Sequence, residues 1–129
     1  MKKYKVLSVN GGELYSPYRN YCYGKMHEVT GRQLTCNDFD ELNKYCSRGF
    51  YATDVDGIIY SLNKHKTNRV FEVEVDGKSV IIDAYKQRFE KQTILRQIPD
   101  DELKALIKDQ SDKMDWDYYH ACFPVNPLQ

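Results

Sequence analysis

The stretch Arg69-Val-Phe-Glu-Val-Glu-Val-Asp-Gly-Lys-Ser-Val-Ile-Ile-Asp83 decides the fold. Phe71, Val73 and Val75 alternate with Glu72 and Glu74. Successive side chains on a strand point to opposite faces, so this spacing predicts a strand with one apolar and one wet face. Asp76-Gly77 reads as a hairpin turn, because the tight type I′ turn needs positive φ at its central positions. Val80-Ile81-Ile82 is then the expected return strand.

The segments on either side extend this pattern. Lys3 to Val9 reads as a strand, with Tyr4 and Val6 on one face and Leu7 and Val9 on the other, a pattern that fits burial on both faces. Asn10-Gly11-Gly12 ends it. A short strand is expected within Tyr21 to Val29. Asn37 or Asp38 is the expected cap of a short helix through Ser47, with Phe39, Leu42, Tyr45 and Cys46 at helical spacing. Phe50 to Thr53 reads as a short strand. Thr53-x-x-Asp56 resembles a capping box for a second short helix, which would turn Val55, Ile58, Ile59 and Leu62 inward. Residues 84–92 fit a helix or an extended loop. Thr93 to Ile98 reads as a strand that Pro99 stops. A final helix is expected from Asp100 to about Met114, its acidic first turn favoured by the positive end of the helix dipole. The predicted class is α+β, with a mainly antiparallel sheet, two short helices and a longer C-terminal helix, in one domain over residues 1–129.

Composition narrows the function. Among 129 residues, 19 are basic and 19 acidic, and this neutrality argues against an extended nucleic-acid partner, whose phosphates call for a basic excess. No apolar run approaches the roughly 20 residues of a membrane span, and the first residues lack the apolar segment of a signal peptide. A cytoplasmic protein with no membrane partner is expected. Cys22, Cys36, Cys46 and Cys122 include no CxxC pair, so no metal site is expected, and each reads most simply as a small buried apolar residue. Phosphate-binding glycine loops, HExxH and the GxSxG elbow are all missing. No cofactor is expected from motifs.

Tyrosine is the unusual component, with 11 copies against 5 Phe and 1 Trp. Tyr15, Tyr18, Tyr21 and Tyr23 crowd together with Arg19 and Lys25. Such rings bury area at low entropic cost and keep a polar tip, and with Arg they also stack nucleobases. This segment is the expected ligand or partner surface. Tyr45, Tyr60 and Tyr85 read as core or half-core rings. Lys86, Arg88, Lys91 and Arg96 form a secondary basic patch, followed by the acidic run from Asp100 to Asp117. The plainer reading of that contrast is two solvated faces that partly neutralise each other.

Two resemblances add to these readings. Gly49-Phe-Tyr-Ala-Thr53, the Val- and Glu-rich strand Val70 to Val75, and the later strand preceded by Glu90 resemble the core of ADP-ribosyltransferase-like proteins over roughly residues 49–98. That resemblance implies NAD as cofactor, Tyr51 near the nicotinamide and Glu90 as the catalytic acid, where a carboxylate would stabilise an oxocarbenium-like sugar. The first strand, Tyr4 to Asn10, departs from the pattern, since it lacks the His-Gly-Thr or Arg that holds the cofactor. The same Gly-Phe-Tyr-Ala segment, with Val73-Glu-Val-Asp-Gly77, is also similar to small phage and prophage proteins. This implies an accessory or counter-defence role in a host cytoplasm. The leading expectation is a non-catalytic binding protein that engages a host protein or a nucleotide-like ligand. An NAD-using transferase is the first alternative, and a virion structural or assembly component the second. Self-association is left open.

Overall fold

The computed structural model describes residues 1–17, 21–42, 48–63 and 66–120. Their strands are β1 (Lys2–Asn10), β2 (Glu13–Tyr15), β3 (Cys22–Lys25), β4 (Gln33–Thr35), β5 (Phe50–Ala52), β6 (Arg69–Asp83) and β7 (Lys86–Gln97). The helices are α1 (Met26–Val29), α2 (Asp100–Ile107) and α3 (Trp116–His120). All strand pairings are antiparallel, in the order β3-β2-β1-β6-β7-β4, and β5 also pairs with β7. The sheet curls into a half-barrel. Tyr4 and Thr53 exchange backbone hydrogen bonds of 2.8 and 2.9 Å, which bring the residue after β5 against β1.

The deciding stretch forms a strand with the expected apolar face: Phe71, Val73 and Val75 are buried. The turn is elsewhere. β6 runs straight through Asp76-Gly77 and reverses only at Ala84-Tyr85. Asp76 pairs with Lys91 and Ser79 with Phe89, so β6 carries one extra residue there, a bulge with Gly77 at φ +76°. A bulge and a type I′ turn both want positive φ, which is why this pair of residues signals either. Bulges bend strands, and this hairpin has three register shifts along its length. Residues 86–92, expected as helix or loop, are the first half of β7. With β6 on one edge and β4 and β5 on the other, β7 is a central strand.

The fold class needs correction at its helices. The longer C-terminal helix is absent: α2 ends after eight residues, where Lys108 adopts φ +46°, and a 3-10 segment, Lys108–Lys113, follows. The resulting molecule is mostly antiparallel sheet with three small helices. The second expected short helix shrinks to one 3-10 turn, Val55–Gly57, although Ile58 is buried as expected. Of the first, Asn37 to Leu42 is not helical and residues 43–47 lie outside the described ones. A four-residue helix, α1, stands where the strand from Tyr21 was expected to continue.

Two apolar clusters sandwich the sheet. One gathers Leu7, Leu14, Val29, Phe71, Val73, Val75, Phe89 and Ile94. The other gathers Val6, Ile58, Val70 and Ile98 against Leu103 and Ile107 of α2, Met114 and Tyr119. Tyr119 also closes a polar gap, because its hydroxyl accepts the Val70 N–H at 3.1 Å. The cysteines depart from the expected burial: Cys22 is exposed and Cys36 half-buried, while Cys46 and Cys122 lie outside the described residues.

Candidate functional site

The two faces of β1 meet different surroundings. Its even positions Tyr4 and Val6 face the α2 side, and Leu7 faces the other cluster. Alternation therefore puts Lys3 and Lys5 on the Leu7 side, where they are only 7% and 8% exposed. Lys3 has a counter-charge, with its Nζ 2.7 Å from Asp54 Oδ1. Lys5 has none among the described residues. Its Nζ donates to the Tyr51 carbonyl at 2.5 Å and lies 5.6 Å from the centre of the Tyr23 ring. Burial, and then the charge of Lys86, push the Lys5 ammonium down from its ordinary 10.5 to about 7.

Lys5 lies in the wall of a cleft of about 580 Å³. β5 supplies Tyr51, whose ring has the Lys86 Nζ 5.6 Å from its centre. Tyr21 and Tyr23 contribute an edge-to-face ring pair with centres 4.8 Å apart. Tyr60 and Tyr85 contribute a tilted pair at 4.7 Å. That second pair depends on Gly57. A Cβ there would stand 1.8 Å from Thr53 Oγ1 and 2.8 Å from the Tyr85 carbonyl oxygen, so only glycine lets the segment bearing Tyr60 approach the β6–β7 turn. At another part of the wall Arg48 pairs with Asp38 at 2.9 Å. Burial, then the hydrogen bond to Asp38, raise the Cys36 thiol. Burial also raises the Tyr23 hydroxyl well above its ordinary range, so this ring stays neutral.

The tyrosine segment divides accordingly. Tyr21 and Tyr23 line the cleft, while Tyr15 and Lys25 do not. The Tyr15 hydroxyl donates to Glu13 at 3.5 Å, and Lys25 is exposed on β3. Tyr18 and Arg19 lie outside the described residues. The two residues implied by the transferase resemblance are not brought together. Tyr51 is in the cleft; Glu90 is not among its walls and accepts the Lys78 N–H at 3.1 Å beside the bulge.

The basic patch is dispersed over distinct surroundings. Lys86 is in the cleft. Arg88 is fully buried and donates to the carbonyls of Asp40 and Leu42, its guanidinium 5.5 Å from the Phe39 ring centre. Lys91 is half-buried in β7 beside β4. Arg96 clamps Glu102 of α2 at 2.6 and 2.7 Å. Tyr60 and Tyr85, expected as core or half-core rings, are 58% and 43% exposed, while Tyr45 lies outside the described residues. Lys5, a cleft residue, was not among the residues that the sequence pattern singles out. Its signal was parity, since it shares the inward face of Leu7 and Val9.

No known family model, curated protein or solved structure matches the chain. Among the described residues no three His, Cys, Asp or Glu side chains gather as a metal site would need. No described helix is long and apolar enough to cross a membrane.

Proposed function

We propose that the chain is a small non-catalytic binding protein whose cleft takes a nucleotide-like ligand. The planar ring lies against the tyrosines, and the anionic group sits beside Lys5 and Lys86. The observation that carries this reading is the convergence of Lys5, Lys86, Tyr23 and Tyr51 on one cleft of about 580 Å³. That volume suits a small molecule, for which pockets of about 300–1,000 Å³ are usual. Aromatic faces accept any base, and an anion would supply the counter-charge that Lys5 lacks among the described residues. Capture of such a ligand in a host cytoplasm is the role suggested by the resemblance to phage proteins.

Titration calorimetry with AMP tests the reading. Tyr51→Ala and Lys86→Ala are each expected to weaken AMP about tenfold, since a stacked ring or a desolvated cation contributes about 1–3 kcal/mol. Absence of AMP binding, or wild-type affinity in both variants, overturns it.

A further inference from the structure

We propose that Lys5 is a carbonyl-trapping amine, whose Nζ forms an imine with an aldehyde-bearing ligand in the cleft. This rests on the cleft being a ligand site, but not on the ligand being a nucleotide.

An exposed lysine is an ammonium at neutral pH and has no lone pair to give. A lysine becomes nucleophilic when it is desolvated or set beside a second cation. Lys5 meets both conditions, being 8% exposed with Lys86 as the nearby charge. Lys3 is an internal control. It is on the same face of the same strand and as deeply buried, but its Nζ is held by the Asp54 carboxylate.

The groups facing Lys5 suit addition to a carbonyl. From β5 the Tyr51 carbonyl accepts one N–H at 2.5 Å and fixes the nitrogen. From β3 the Tyr23 ring gives an apolar wall 5.6 Å away. From the start of β7 comes the Lys86 ammonium. The Lys5 ammonium titrates at about 7, so near neutrality a large share of the side chain carries a free lone pair.

The step balances without a co-reactant. The Nζ lone pair adds to the aldehyde carbon, and the carbonyl π pair moves to oxygen. A proton passes from nitrogen to that oxygen, giving a carbinolamine. The nitrogen lone pair then expels the hydroxyl, which leaves as water with the second nitrogen proton, and a C=N bond remains. Nothing is oxidised or reduced. The ligand class that fits is a compact aldehyde with a planar ring and an anionic group, for the tyrosine walls and Lys86.

Pyridoxal 5′-phosphate is a suitable probe of that class. The whole chain is treated at pH 7.5, reduced with borohydride to fix any imine as a secondary amine, and mapped by peptide mass spectrometry. The expected result is an adduct at Lys5 formed at least about tenfold faster than at Lys3 or any exposed lysine, because its neutral fraction is far larger. Pyridoxine 5′-phosphate, which lacks the aldehyde, is expected to slow the labelling, and Lys5→Arg to abolish it. Comparable labelling of many lysines, or labelling of Lys86 with Lys5 untouched, overturns the proposal. The wild-type map decides this even if a Lys5 variant does not fold. AMP binding without a Lys5 adduct overturns the imine and leaves the nucleotide reading intact. A Lys5 adduct without AMP binding does the reverse.

Discussion

On the α2 face of the sheet, the cation Arg96 meets a carboxylate: it grips Glu102 through two nitrogens and lies 3.6 Å from Glu72. In the cleft wall, the buried cation Lys5 has no carboxylate partner among the described residues and donates to the Tyr51 carbonyl instead. Burying a charge without a counter-charge is costly, whereas a paired one largely offsets its desolvation. The contrast is sharpest within β1, where Lys3 has Asp54 and Lys5, two residues on, has a second cation for company. On the α2 face, Arg96 is already matched by carboxylates. The other holds positive charge in a form that a ligand could complete.

Changes on the two faces should therefore act differently, and the largest effect belongs to the α2 face. Leu103 is fully buried in the cluster under α2. Leu103→Ala should destabilise the fold by about 2–5 kcal/mol in urea unfolding, the usual range for a buried leucine, while AMP affinity stays as it was. A parallel loss of affinity would show that the faces are coupled.

In the cleft, removing a charge should have the opposite sign. The Lys5 ammonium titrates at about 7 in the folded protein against 10.5 ordinarily, so between these values the unfolded chain binds more protons. Stability then rises with pH through that window, is fully present above about 10.5, and is lost as pH falls to about 7. Lys5→Met should stabilise the protein at pH 7 by an amount on the order of a few kcal/mol, and the gain should vanish towards pH 10.5. Melting curves across that range check it. A destabilised Lys5→Met at pH 7 would mean that the carbonyl and ring contacts outweigh the desolvation cost.

A smaller effect is expected at the rim. Gly57→Ala should cost about 1–3 kcal/mol by forcing Thr53 and the Tyr85 turn apart, and should weaken AMP through loss of the Tyr60–Tyr85 pair. Unfolding midpoints and calorimetry on the same variant separate the two consequences.

The sheet was legible wherever burial alternated. Phe71, Val73 and Val75 announced β6, and the punctuation around Asn10-Gly11-Gly12 marked the end of β1. The second half of β7 was expected from Thr93 onward, but its first half was hidden because Lys86-Gln-Arg-Phe-Glu-Lys-Gln92 buries Arg88 and Gln92, polar residues that an alternation test counts as exposed. Pro99 and the acidic first turn did mark the start of α2, but the backbone break at Lys108 is a tertiary outcome with no glycine to signal it. The cleft was half visible. Tyrosine density pointed to Tyr21 and Tyr23, whereas Tyr51, Tyr60, Tyr85 and Lys86 reach it only through the curl of the sheet and the delayed turn at Ala84-Tyr85. Lys5 was passed over because a lysine is ordinarily taken to face water, even in a strand with apolar residues on both faces.

The proposed binding role of the cleft turns on the charge state of Lys5. Its ¹³Cε resonance, followed by NMR in a pH titration and assigned by its loss in Lys5→Arg, reports that state directly. The expected midpoint is about 7, moving upward when AMP occupies the cleft. A midpoint near 10.5, shared with the exposed lysines, would contradict that role.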